Sequence, residues 1–393
     1  MRKYSIFCFL LLGLSLVAQQ KNDTIKKAVY YFSLDSTGHL NGDGADFIEK
    51  NITESQFFLI GEQHNIHAIE TFVSALIPLF KENSYNDYIT EIGPVAAAKL
   101  TQLNDNLTPL KSYYSNYSSQ TNLPPFGFFS TKEEENTLQQ LKKYEITLWG
   151  IDFENYGSYL SLIDELYQKS DKGKISKNLY HKVYSFVESE YKKGKDNFNP
   201  DLMNKLRQSN ELKEFLLLAK NETNAPVISQ FELSLQINHQ LTLGFWQRRV
   251  DNMKNNFIQY YHTQSAKENP VKAFIKLGAV HTARGTSFSG NLEVGNLIYE
   301  LANINQSKSY SIITFPRYIL NEKTGETQDL MEEDEKEFLK YTFPDRWTVI
   351  DLDKLKELSI QHNVQWSQNL VSYIQKYNAI VIPPVTKYSE KIF

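Results

Sequence analysis

Apolar and polar positions along this chain switch between two periods, and the switches mark its elements. The run QFFLIG (56–61) is apolar, rich in β-formers and stopped by Gly61, which predicts a buried strand. Directly after it, Ile66, Ile69, Phe72, Val73, Leu76 and Leu79 recur at helical spacing. The same step repeats twice. DYITEIG (87–93) predicts a strand followed by the helix VAAAKLTQL, and EITLWGIDF (145–153) predicts a strand followed by GSYLSLIDELYQKS. EEENTLQQLKKY, just before the third strand, is also helical. Three strand-to-helix steps in a row argue for βαβ units and a mostly parallel sheet.

The pattern then changes. From about 176 to 265 the periodicity is helical, in YHKVYSFVESEYKK, LMNKLRQSNELKEFLLLAK and a run through WQRRVDNMKNNFIQYYHTQ, with one short strand expected at PVISQFEL. Strands return at VKAFIKLGAVH (271–281), SYSIITF (309–315), WTVIDL (348–353) and NAIVIPP (378–384). Residues 104–132, rich in Asn, Ser, Tyr, Pro and Gly, read as a long loop, and VYYFSL as a lead-in strand or arm. The expected architecture is α/β. A mostly parallel central sheet is flanked by helices, and the helical insertion (about 176–265) lies over its carboxyl edge. Residues 21–393 form one domain.

The first twenty residues stand apart. Arg2 and Lys3 precede an apolar stretch from Tyr4 to Val17, and Ala18-Gln19-Gln20 suits cleavage, so residues 1–20 read as a signal peptide. Cys8, the only cysteine, lies within it. A mature chain without cysteine excludes disulfides, a thiol nucleophile and thiolate metal sites. A disulfide-free exported protein points to a bacterial periplasm or the extracellular space. No later window is apolar enough to span a membrane. Loss of Arg2 and Lys3 takes Lys+Arg from 42 to 40 against 46 Asp+Glu, a net charge of −6, which gives no reason to expect nucleic acid.

The candidate chemistry clusters where strands end. Glu62 and His64 follow the first predicted strand, Glu91 the second, Asp152 and Glu154 the third, and His281 the strand at 271–281. In a parallel sheet these ends share one edge, where ligands bind, and buried polar groups there need partners. Asp152 and Glu154 also suit helix starts. Arg249 would offer a cation to an anionic or developing oxyanion group, with Asn256 on the same helix and Arg284 as further candidates for the cavity. His67, three residues beyond His64, is at most a secondary ligand; the spacing is not that of HExxH. The chain lacks G-x-S-x-G, G-x-G-x-x-G and the P-loop motif. What remains is a His/carboxylate set. It can activate water directly, with Glu62 or Glu91 orienting His64. It can instead hold one divalent ion through His64, Glu91, Asp152 and His281.

These motifs, in this order, resemble those of the erythromycin esterase-like proteins, whose wider relatives are the haem-uptake ChaN-like proteins and the Tiki proteases. The matching residues are Gly61-Glu62-Gln63-His64, Glu91 in YITEIGP, Gly150-Ile151-Asp152, then Arg249, Met253 and Asn256, and His281 in GAVH. The resemblance spans roughly residues 50–300. It implies an ester or lactone hydrolase with His64 as general base, Glu62, Glu91, Arg249 and His281 as further site residues, no required cofactor and a small-molecule substrate. The ChaN-like branch would imply haem or iron binding, and the Tiki branch a metal-dependent peptidase. Ala279 stands where the esterases often carry a second histidine, so their substrate does not carry over.

Overall fold

The computed structural model describes residues 19–118, 123–171, 173–194, 200–267 and 270–393. The expected signal segment lies outside them up to residue 18. The fold is α/β, with nine strands in a mostly parallel sheet. No helix among the described residues is long and apolar enough to cross a membrane.

The chain forms two compact units. The first holds the described residues up to Ala75 together with Leu277–Tyr388. Its strands are β1 (Val29–Leu34), β2 (Leu40–Asn41), β3 (Phe57–Glu62), β7 (Ser309–Thr314), β10 (Trp347–Asp351) and β11 (Ala379–Ile382), in the order β2-β1-β10-β11-β7-β3. β3, β7 and β11 are parallel, and β3 pairs with β7 over its whole length, from Phe57↔Ser309 to Glu62↔Thr314. β3 is buried at every position, which is why it reads as a continuous apolar run and not as an alternation. VYYFSL is β1, antiparallel to β10. The hairpin β8 (Tyr318–Leu320) and β9 (Thr327–Asp329) forms a separate ribbon that the sequence pattern did not reveal, because β9, TQD, is polar and exposed throughout.

The second unit comprises Leu76–Lys276 and Ser389–Phe393. β4 (Asp87–Thr90) lies between β5 (Thr147–Gly150) and β6 (Ala273–Gly278), parallel to both. The regular structure among the described residues of the insertion is helical: Lys177–Gly194, Pro200–Gln208, Asn210–Ala219, Ala225–Thr242 and Gln247–Ser265. PVISQFEL, expected to be a strand, belongs to the helix Ala225–Thr242. Pro226 sits at the helix start, where its missing N–H costs nothing, and Val227, Ile228, Phe231 and Leu235 pack at helical spacing into the insertion's core. The segment around LMNKLRQSNELKEF divides at Ser209, whose hydroxyl caps the second helix through the Leu212 N–H. The expected loop 104–132 contains a helix, Leu110–Tyr117, anchored by the buried Leu110 and Tyr114.

Candidate active site

β3 ends in Glu62, and the chain turns at once into the helix His67–Glu82. Asn65 makes the turn with φ 62°, a left-handed conformation that asparagine tolerates better than most residues. The C-terminal segment straps the turn in place. His67 N–H donates to Lys387 O at 3.0 Å, Ala68 N–H to Thr386 Oγ1 at 3.0 Å, and Ile66 bridges to Tyr388. Within this held turn His64 Nδ1 lies 2.9 Å from Glu62 Oε1. The Glu62 side chain is 2% exposed and that of His64 35%. A carboxylate accepts only, so the bond fixes the tautomer with the proton on Nδ1 and leaves Nε2 as the acceptor.

His281 forms a second pair of the same kind. β6 runs into a single 3-10 turn, Ala279–Thr282, and His281 Nδ1 lies 2.9 Å from Glu293 Oε2. Ser289 Oγ donates to the other Glu293 oxygen at 3.0 Å. The turn is fixed from behind. Ser311 Oγ donates to Thr282 O at 2.9 Å and Tyr377 OH to Ala279 O at 2.7 Å. Glu293 was not among the candidates from sequence. It stands directly before the helix Val294–Ile304, where an acid reads as a cap, but its side chain makes no cap bond and goes to His281 instead.

Gly61 brings these two segments together. A Cβ there would sit 2.2 Å from Thr282 Oγ1 and 3.0 Å from Ala279 Cα. The His281 turn therefore packs on the β3 backbone itself. Gly61→Ala is expected to lower stability by about 1–3 kcal/mol through overpacking. Urea unfolding will measure it, and an unchanged midpoint would show that the turn yields freely.

In the second unit, the ends of β4 and β5 present Glu91 and Asp152, and both carboxylates meet Arg249. Arg249 Nη2 donates to Glu91 Oε1 at 2.6 Å and to Asp152 Oδ2 at 2.6 Å, while Nε reaches Asp152 Oδ2 at 3.1 Å. Phe153 lies under the guanidinium, 5.5 Å from its carbon to the ring centre. Burial works against this charge, but Asp152 and then Glu91 outweigh it and hold the arginine above its usual range. Asn256, two turns further on, donates to Ile151 O at 2.9 Å and Asp152 O at 3.1 Å, fastening the same helix to the end of β5. The cation at these two carboxylates is thus a side chain. Among the described residues no group of three or more His, Cys, Asp or Glu is placed to hold a metal ion.

Three other candidates are placed as follows. Glu154 is fully buried and accepts from Val95 N–H at 2.8 Å and Ala96 N–H at 3.2 Å, capping the helix Pro94–Asp105. A Cβ at Gly93 would fall 2.1 Å from its Oε1. Arg284 Nη2 donates to Tyr377 O at 2.7 Å and lies 3.8 Å from Asp353 Oδ1. His67 lies in the first turn of its helix, where its backbone accepts from Thr71 Oγ1.

Burial pushes the Glu154 carboxyl up to about 7, against the two N–H bonds that lower it. Its folded value thus lies above the ordinary 4.5. The associated stability, up to about 3 kcal/mol, is fully present below pH 4.5 and is lost as pH rises to about 7. Asp351, raised by burial to about 6, acts in the same direction. Denaturation at stepped pH should show this decline, and Glu154→Gln should flatten its upper part. An equal slope in the variant would assign the titration elsewhere.

No family model matches the chain, and no curated protein matches it in sequence. Solved structures do match it. A mutant of the erythromycin esterase EreC in its open conformation superposes with a TM-score of 0.58 at 14% identity, over 93% of this chain and 99% of that one. The fold is erythromycin esterase-like. A succinoglycan biosynthesis protein matches with a TM-score of 0.57 at 14% identity, over 94% of this chain and 98% of its own. A protein from Bacillus cereus matches with a TM-score of 0.53 at 15% identity, over 94% and 99%. At such identities the likeness is one of fold, and the erythromycin esterase-like scaffold leaves substrate and chemistry to the residues described above.

Proposed function

We propose that this protein is an exported hydrolase that uses His64 to activate water against the carbonyl of an ester, lactone or amide in a small organic substrate. The observation that carries the proposal is the 2.9 Å bond between His64 Nδ1 and the buried Glu62 carboxylate. Glu62 holds the ring and favours the imidazolium that forms when Nε2 takes the water proton. The hydroxide adds to the carbonyl carbon, the bond to the leaving oxygen or nitrogen breaks, and that atom takes up the proton. The His281–Glu293 pair supplies a second oriented imidazole, suited to hydrogen-bond the carbonyl oxygen or the leaving group. No step in this scheme needs a cofactor. Export rests on the N-terminal sequence, and the absence of cysteine from the rest of the chain agrees with it.

The test is hydrolysis of three probes by the mature protein: p-nitrophenyl acetate, δ-valerolactone and an acyl anilide. Turnover of at least one above the buffer rate is expected. Rates equal to buffer for all three would overturn the assignment.

A further inference from the structure

The helical insertion carries a second concave feature. A cavity of about 350 Å³ opens among the helices Pro200–Gln208, Asn210–Ala219 and Ala225–Thr242 and the start of Gln247–Ser265. Its floor is apolar: Leu206, Leu212, Leu216 and Leu235 are the outer layer of the insertion's own core. Its rim is cationic. Arg207, Lys213 and Arg248 line it against one carboxylate, Glu232. Among the described residues none of these four forms an ion pair, although most lysines elsewhere on the insertion do, such as Lys182 with Glu211 and Lys205 with Glu190. Among the described residues, the hydrogen-bond partner of the Arg248 side chain is the neutral Gln236. His239 also lines the cavity, and its Nδ1 is buried without a hydrogen-bond partner among the described residues.

The chain between two lining residues, Gln240 and Arg248, is apolar and exposed. Leu243 is 58% exposed, Phe245 63% and Trp246 49%, on a turn made by Gly244 at φ 82°. Three large apolar side chains within four residues of a helix-to-helix turn, each exposed by about half or more, cost solvation. Such a patch marks a surface that meets something apolar.

We propose that this groove binds a free anionic amphiphile, a small molecule with one carboxylate-like head and an unbranched or aromatic apolar body. The leucine floor and the Leu243–Trp246 turn take the body. Arg207, Lys213 and Arg248 take the head, an arginine being able to hold a carboxylate by two parallel bonds. At about 30 Å³ per atom the cavity holds on the order of a dozen non-hydrogen atoms, which is the size of decanoate. A neutral molecule of the same shape would fill the floor and leave three cations unanswered. This site belongs to the insertion and does not depend on the hydrolase assignment.

The experiment is isothermal titration of the mature protein with decanoate below its micelle concentration, beside decanol and beside phosphatidylcholine vesicles with and without phosphatidylglycerol. Decanoate is expected to bind with a stoichiometry of one, at least tenfold more tightly than decanol. Arg207→Gln with Lys213→Gln should bring decanoate down to the decanol level, and Trp246→Ser should weaken both ligands. Equal affinity for acid and alcohol, or an acid affinity untouched by the double variant, would overturn the proposal. Binding to anionic vesicles with none to monomeric decanoate would overturn it in favour of a membrane surface.

Discussion

Replacing His64 by Ala is expected to lower kcat/KM by about 10²- to 10⁴-fold, the range general-base catalysis supplies. The substitution leaves the fold intact, because the half-exposed imidazole contributes little to the core and the turn is held by backbone bonds to Thr386, Lys387 and Tyr388. Glu62→Gln should cost less, because the ring keeps a hydrogen-bond partner. It loses the carboxylate that fixes the proton on Nδ1 and favours the imidazolium, so the loss should fall in kcat with KM nearly unchanged. A KM effect alone would mean that Glu62 binds substrate and does not orient the base. Unfolding midpoints of both variants within about 1 kcal/mol of the parent would separate chemistry from folding.

The second large effect is on stability. Arg249→Met is expected to destabilise the protein by about 3–5 kcal/mol, because Glu91 and Asp152 would remain buried at neighbouring strand ends without the guanidinium that neutralises them. Adding Glu91→Gln and Asp152→Asn to Arg249→Met should recover most of the loss, since neutral amides carry no comparable desolvation penalty. Urea denaturation of the single and triple variants measures both. A single variant as stable as the parent would remove Arg249 from its place as the bond between the helix Gln247–Ser265 and the strands β4 and β5.

Much of this was legible before the structure. Buried parallel strands are short apolar runs, so QFFLIG, DYITEIG and SYSIITF stand out, and Glu62 and Glu91 at the ends of the first two stand out by contrast with the run. Arg249 stood out through its place in the motif order, ahead of Met253 and Asn256. What escaped was carried by geometry across long separations. Glu293 looks like an ordinary acid before a helix, and only its bond to His281 gives it another meaning. Glu154 and Asp152 are equivalent on paper, yet one caps a helix and the other pairs with Arg249; both lie past the end of β5 at Gly150, where strand alternation no longer says which way a side chain points. PVISQFEL carries β-branched and aromatic residues that favour a strand locally, but burial on one helical face decided it. The cationic groove draws Arg207, Lys213 and Arg248 from three helices, and no local pattern marks it.

The central claim is that His64 is the base that activates water. Its most direct test is the hydrolysis rate of the His64→Ala protein with imidazole added to the buffer, on whichever ester or lactone the parent turns over. The rate is expected to climb with imidazole concentration and saturate, as the free base occupies the space left beside Glu62. No such climb is expected for the His64→Ala, Glu62→Ala double variant. A His64→Ala protein that already hydrolyses the substrate at the parent rate would contradict that claim.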